Sequence, residues 1–361
     1  MKICFFAHNT NTKNGGGRLV WELASRLRKN PLVSGLKVLV SVPSGQDFEE
    51  PSIRLNPASF ALNFFRLRRL IKKDDLINAF DLWPYGVMAF LAGWGFKKKF
   101  VITLVGSGSI KPLYNPAVFW LLKMVCRRAD KITAISSYTA GEVLKKIPGL
   151  KIEIIPLGVD GDYFRRQADV AGKPDVEPPY ILSVGRLKPR KGYHISLEVF
   201  ARVAAVQPEL KYVIVGSGQG EYFDKLRRQI KKLGLTEKVF FKQNISDQEL
   251  AAFYKNASLF LLLSQNDNYD IEGFGLVFLE AAAFGLPVIG AKECGAINAV
   301  RDGENGFLIP PAYVKEAAEK TLLILQDKLL RDKMAVSSIK LSEEMTNEKL
   351  AAEYFHLYEN A

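Results

Sequence analysis

At 361 residues the chain is too long for one ordinary hydrophobic core, and a composition 48% apolar and 24% charged is that of a globular protein, so two domains are expected. Cys4, Cys126 and Cys294 are scattered without metal-type spacing, which argues against a disulfide framework or zinc module and for reduced thiols. The net charge of +12 belongs to the first half: residues 1–170 carry 26 Lys and Arg against 13 Asp and Glu, residues 171–361 carry 24 against 25, and such a surface favours anionic partners.

Lys2–Ala7 reads as a first strand, Gly15–Gly17 as its loop, and Arg18–Lys29 as an amphipathic helix with Leu19, Val20, Leu23 and Leu27 on one side. Strand and helix patterns alternate through Leu36–Val42, Leu62–Lys73, Phe100–Val105, Ala117–Arg128 and Lys131–Ile135, as in a parallel sheet with helices on both faces. The run Met1–His8 is too short for a signal peptide, and no stretch approaches the roughly 20 apolar residues of a spanning helix. A cytoplasmic protein is expected.

Within Leu62–Lys73, Phe64, Phe65, Leu67, Leu70 and Ile71 alternate with five cations. That pattern suits a peripheral contact with an anionic membrane surface, and equally an ordinary packed helix with a charged outer face. Lys97–Lys99 and Trp120–Arg128 add to the membrane reading. No nucleic-acid module or aromatic stacking pattern accompanies the charge, so no nucleic-acid partner is expected.

Residues 164–179 are polar and contain Lys-Pro-Asp and Pro-Pro, the marks of a linker between a domain of residues 1–163 and one of 180–344. The second alternation starts at the strand Tyr180-Ile-Leu-Ser-Val and runs to about residue 340. A last helix is expected near Asn347–Tyr358. In Gly216-Ser-Gly218-Gln-Gly220-Glu221 the third glycine of a G-x-G-x-x-G fingerprint is replaced by Glu221, so a dinucleotide reading fails.

The passage that says most about function is Ser258–Leu263, a short apolar run, followed by a polar loop and Glu272-Gly-Phe-Gly-Leu-Val-Phe-Leu-Glu280-Ala-Ala-Ala-Phe-Gly285-Leu-Pro-Val. It reads as a buried strand, a Gly-rich turn, a helix of roughly ten residues stopped at Gly285 and Pro287, and a new strand. The loop opens where parallel sheets bind ligands, and the helix N-terminus near Phe274 and Gly275 offers N–H groups to an anion. Glu272 and Glu280, the second roughly 9 Å along the helix, could accept hydrogen bonds from a polyol. Asp267, Asp270 and Glu272 could also suggest a hard cation, but Asn266 and Asn268 make the segment equally typical of a solvated turn.

This segment resembles the E-x7-E motif of retaining glycosyltransferases of the two-domain GT-B type, family GT4. Further family-like stretches stand in the family's order: Gly15-Gly16-Gly17, Ser183-Val-Gly-Arg186-Leu-Lys-Pro-Arg-Lys191-Gly192, Val215-Gly-Ser-Gly218 and Cys294-Gly-Ala-Ile-Asn-Ala-Val-Arg-Asp-Gly-Glu-Asn-Gly306. Within the family the motif most resembles lipid mannosyltransferases acting on phosphatidylinositol.

The resemblance implies an α/β protein of GT-B fold, two Rossmann-like domains facing each other across a cleft, the last helix, about 345–361, crossing back to complete the first. It implies an enzyme moving a sugar from a nucleoside diphosphate sugar to a lipid-linked or glycan acceptor in cell-envelope glycan or glycolipid synthesis, without a metal or other cofactor. Arg186 and Lys191 would hold the departing diphosphate and Glu272 would orient the sugar, making these three the catalytic candidates. Donor-binding candidates are Gly16, Gly17, Gly185, Gly216, Ile245, Phe274, Gly275, Leu276 and Glu280, the last for the ribose hydroxyls. Lys188 and Arg190 share the basic run, so a merely solvated basic loop is the alternative there, and the resemblance singles out Arg186 and Lys191. The family's Thr-x-His-Gly-Ser context is here Thr103-Leu104-Val105-Gly106-Ser107, with Val105 in the place of the histidine, and His8 reads as a polar loop residue. A nucleotide-sugar epimerase of the same fold and a non-catalytic nucleotide-sugar-binding protein are the alternatives.

Overall fold

The computed structural model describes residues 1–53 and 60–361, with side chains from residue 63 onward in the helix that begins at Phe60. Two compact units divide the chain, one of Met1–Leu157 with Asn347–Ala361 and one of Gly158–Thr346.

The first unit holds a seven-stranded sheet in the order β3-β2-β1-β4-β5-β6-β7, every pair parallel. Its strands are β1 (Lys2–Ala7), β2 (Gly35–Val40), β3 (Glu49–Pro51), β4 (Leu76–Phe80), β5 (Lys99–Leu104), β6 (Lys131–Ala134) and β7 (Glu153–Ile154). Helices α1 (Gly15–Leu27), α2 (Phe60–Ile71), α3 (Val87–Gly93), α4 (Ser107–Ile110), α5 (Pro116–Arg128) and α6 (Ser137–Lys146) connect them. A parallel sheet covered by helices buries both faces of its strands, so β1 shows an unbroken buried run from Ile3 to Ala7.

The second unit holds a six-stranded parallel sheet in the order β10-β9-β8-β11-β12-β13. Its strands are β8 (Tyr180–Val184), β9 (Lys211–Val215), β10 (Val239–Lys242), β11 (Leu259–Leu262), β12 (Val288–Ala291) and β13 (Gly306–Ile309). They alternate with α7 (Gly161–Val170), α8 (Tyr193–Val206), α9 (Glu221–Lys232), α10 (Asp247–Asn256), α11 (Leu276–Ala283), α12 (Val314–Gln326) and α13 (Lys328–Glu344). The last helix, α14 (Asn347–Glu359), belongs to the first unit, where Tyr354 and Tyr358 are buried and the Tyr358 hydroxyl accepts from Asn78 Nδ2 at 2.9 Å.

Two expectations need correction. Gly15–Gly17 is the first turn of α1 rather than a loop: Asn14 caps the helix, its side chain accepting from Gly17 N at 2.7 Å, so the helix starts three residues before the expected Arg18. The polar stretch read as a linker over 164–179 opens inside a helix. Asp160 caps α7 by accepting from Tyr163 N at 2.8 Å, and Phe164 and Ala168, one turn apart, are buried. Arg165 fastens α7 to α11 through the Ala283 carbonyl at 3.0 Å.

Candidate active site

In the second unit the loops after β8, β9, β10, β11 and β12 all leave the same carboxyl edge of the sheet, where parallel α/β sheets place ligands. Gly185 follows β8, and its N–H donates to Val215 O at 2.9 Å while its carbonyl accepts from the Tyr193 hydroxyl at 2.6 Å. Gly216 follows β9 and packs on that same carbonyl: a Cβ at 216 would stand 1.9 Å from Gly185 O, and its φ of +156° also excludes most side chains. Ile245 is half-buried in the loop after β10, ahead of the capping box that Ser246 and Glu249 form at the start of α10.

The loop after β8 carries the cations. Arg186 is exposed and has no ion pair among the described residues. Lys191 is buried, its stem lying over Gly185 and its Nζ 2.6 Å from Glu272 Oε2. Arg190, not among the candidates, is drawn in as well: its Nη1 donates to the same Oε2 at 2.8 Å, and its Nε forms an ion pair with Asp270 Oδ1 at 3.3 Å. Asp270 and Glu272 thus serve as counter-ions to this basic loop. Burial pushes the Glu272 carboxyl up, but the charges of Lys191 and Arg190 outweigh it and pull it down to about 2. Burial lowers Arg190, and Glu272 and Asp270 more than reverse that, so its pKa is raised.

The loop bearing Glu272 is pinned by Gly295 N, which donates to Glu272 O at 2.8 Å. It leads through buried Phe274 to Gly275, the N-cap of α11, where no side chain caps the helix, and then to half-buried Leu276. The first turn therefore presents backbone N–H groups beside Glu272 and its two cations. Glu280 is buried on α11 and accepts from the Tyr254 hydroxyl at 2.9 Å, while Tyr254 stacks on Phe284 with centroids 5.8 Å apart. The structure thus brings Gly185, Lys191, Glu272, Phe274, Gly275 and Leu276 into one neighbourhood. Arg190 was missed because its partner is distant in sequence; its place between the two candidate cations was the only signal.

Gly16 and Gly17 belong to the first unit, at the carboxyl edge of that unit's sheet. A Cβ on Gly17 would stand 2.3 Å from Asn9 Oδ1, so only glycine lets α1 start against the β1 loop. Gly16 faces Val105, whose Cγ1 would lie 3.9 Å from a Cβ at 16. Val105 is held by half-buried Asp81, whose Oδ1 accepts from Val105 N at 3.3 Å, Gly106 N at 3.2 Å and the Ser109 hydroxyl at 2.7 Å. Asp81 has φ +72°, a conformation rare outside glycine, and burial raises its pKa. Nearby, His8 Nδ1 lies 2.9 Å from Ser41 Oγ and 3.0 Å from the Tyr85 hydroxyl, so His8 is part of a polar cluster at this edge.

Comparison with known proteins follows the same division. The family model described as glycosyl transferases group 1 matches residues 165–340, and that of glycosyltransferase family 4 matches residues 13–163. The GDP-mannose-dependent alpha-(1-6)-phosphatidylinositol monomannoside mannosyltransferase of Mycolicibacterium smegmatis is 28% identical over 260 residues, 68% of this chain and 66% of that protein. The D-inositol 3-phosphate glycosyltransferase of Acidothermus cellulolyticus is 33% identical over 200 residues, 51% of this chain and 43% of that protein. Among solved structures, Anabaena HepE in complex with UDP and glucose superposes with a TM-score of 0.80 over 100% of both chains at 20% identity, a likeness of fold. With both parts of the chain matched by the family's models, and with two parallel α/β units of the GT-B kind, the chain belongs to the group 1 glycosyltransferases of family GT4 and is a transferase enzyme.

Proposed function

We propose that the enzyme transfers a sugar from a nucleoside diphosphate donor to a lipid-linked or glycan acceptor with retention at the anomeric carbon. The observation that carries this reading is the meeting of Lys191, Arg190 and Glu272 beside the uncapped first turn of α11, with exposed Arg186 on the same loop. Arg186, Lys191 and the backbone of Phe274–Leu276 neutralise the departing diphosphate; Glu272 takes hydroxyls of the sugar and Glu280 those of the ribose. Glu272, paired with two cations, is held as an acceptor of hydrogen bonds and not as a nucleophile. The new bond from the acceptor oxygen to the anomeric carbon forms on the face from which the diphosphate leaves, and the acceptor proton departs with that diphosphate. Rate enhancement then rests on positioning and on charge stabilisation. In this reading the basic side chains do the neutralising work that a metal ion does elsewhere.

The named relatives, a phosphatidylinositol monomannoside mannosyltransferase and an inositol phosphate glycosyltransferase, support a glycolipid acceptor and a role in the cell envelope. The Anabaena structure with UDP and glucose supports a nucleotide-sugar donor. A peripheral contact with the anionic cytoplasmic leaflet is supported by exposed Phe65, Trp94 and Trp120 in the first unit. No helix among the described residues is long and apolar enough to cross a membrane.

The test is a thermal-shift screen of the purified protein against GDP-mannose, UDP-glucose and UDP-GlcNAc without added metal, followed by anomeric analysis of the product. One donor raising the melting temperature, then yielding a product of unchanged anomeric configuration, is expected. A well-folded protein that responds to none of them, or an inverted product, counts against the proposal.

A further inference from the structure

Two cations share a single oxygen of Glu272, and they are not held alike. The Arg190 guanidinium donates to Glu272 Oε2 at 2.8 Å and has a second ion-pair partner in Asp270, whose Oδ1 lies 3.3 Å from Nε. Its backbone is also tied down, since its carbonyl accepts from Gln265 N at 2.8 Å, linking the β8 and β11 loops. Lys191 has only Glu272 as an ion-pair partner among the described residues. Its ammonium ends a flexible stem resting on Gly185, whose missing side chain leaves room at the edge of the sheet.

We propose that Arg190 is a positioning residue, the standing counter-ion of Glu272, while Lys191 is the exchangeable one. This rests on the nucleotide-sugar reading above. When an anionic diphosphate arrives, Lys191 turns from Glu272 to the phosphate oxygens, and Arg190 keeps Glu272 ionised and aimed. The need is physical. A carboxylate as buried as Glu272 that loses its last counter-ion takes up a proton, and as a neutral acid it no longer accepts hydrogen bonds on both oxygens. One acid with two cations can release one of them to the substrate without that change; one acid with one cation cannot.

The experiment counts protons taken up when the donor binds, by calorimetry in buffers of different ionisation enthalpy, using intact UDP-glucose or GDP-mannose. In the wild type the count stays near zero down to about pH 5. In Arg190→Gln it rises toward about one proton per donor as the pH falls, because Lys191 leaves an unpaired carboxylate behind. Arg190→Lys restores a count near zero. A purely structural Arg190 would lower the melting temperature without moving the count, and an Arg190→Gln variant with the wild-type count overturns the proposal. A wild type that binds neither sugar nucleotide instead fails the nucleotide-sugar reading, and this inference falls with it.

Should Arg190→Gln not fold, Lys191→Met carries the test without donor, since it leaves Glu272 with Arg190 alone. The stability difference between Lys191→Met and Lys191→Met/Glu272→Gln should then stay flat from about pH 8 to about pH 5. A slope in that interval would mean that Glu272 protonates despite Arg190, and the proposal would be wrong.

Discussion

Gly216 packs directly on the carbonyl of Gly185, so that a Cβ added at 216 would lie 1.9 Å from that oxygen. The two glycines end adjacent strands, and their closeness sets where the loop carrying Arg186 begins. Gly216→Ala therefore has to part the ends of β8 and β9, at a cost of more than about 2 kcal/mol. Gly234→Ala is the matched control, with φ +68° but nothing within 4 Å of the added carbon, and should cost only about 1 kcal/mol. Chemical denaturation of the two variants checks this; equal losses would remove the packing argument.

Arg186 and Lys191 begin and end one loop but differ in what their removal should do. Arg186 is exposed without an ion pair among the described residues, so Arg186→Ala should leave stability within about 0.5 kcal/mol of wild type. Its turnover should fall about 100-fold or more if the guanidinium meets the leaving diphosphate. Lys191→Ala should lose turnover similarly and also lower the melting temperature, because half of Glu272's compensation goes with it. Steady-state kinetics with parallel melting curves separate the two; an active Arg186→Ala would take that residue out of the site.

The pH dependence follows from Glu272. Its folded pKa of about 2 lies below the ordinary carboxylate value, so its ionised form stabilises the fold above about pH 4.5, and that contribution disappears as pH falls toward about 2. The size is on the order of 3 kcal/mol. Glu272→Gln leaves buried Lys191 without an ion-pair partner among the described residues and Arg190 with Asp270 alone, so at neutral pH it should be clearly less stable than wild type, with the gap narrowing through that acid interval. A gap constant from about pH 7 to about pH 3 would contradict the ion-pair account.

Much of this architecture is visible in the chain because helix and strand periods differ and each element buries a regular set of positions. Leu259–Leu262 and Val288–Ala291 are fully buried apolar runs, and Gly285 ends α11 where the pattern stops. Local chemistry of the kind that moved two boundaries is harder to see. The start of α1 at Gly15 depends on one Asn14 side chain, and α7 hides in a polar stretch because only Phe164 and Ala168 of it are buried. The site's residue types were legible, but its pairings were not. Nothing near Arg190 in sequence points to Glu272, nor near Glu280 to Tyr254, because the pairing of β8 with β11 brings their loops together and only the folded unit sets the Tyr254 hydroxyl against Glu280.

The helix α2 can be judged by which of its residues the core claims. Leu67 and Ile71 are buried, so this face is spent on packing, as an ordinary helix would spend it. Phe65 remains 69% exposed with Arg66, Arg69, Lys72 and Lys73 on the outside. The helices α2 and α5 both pack on α3, and α5 adds Trp120, 71% exposed, with Lys123 Nζ over its ring at 4.9 Å. Exposed aromatics interleaved with cations are costly in water and favourable at an anionic lipid interface, about 1 kcal/mol for each surface cation. Phe65→Ser and Trp120→Ser change no buried contact, so each should leave the melting temperature unchanged. Each should weaken co-sedimentation with phosphatidylglycerol vesicles by about tenfold, the worth of one aromatic side chain withdrawn from water. Binding should fall further as salt rises and should be absent with phosphatidylcholine alone. Wild type that ignores phosphatidylglycerol vesicles, or variants that bind them as tightly as wild type, would mean that this face meets something other than a membrane.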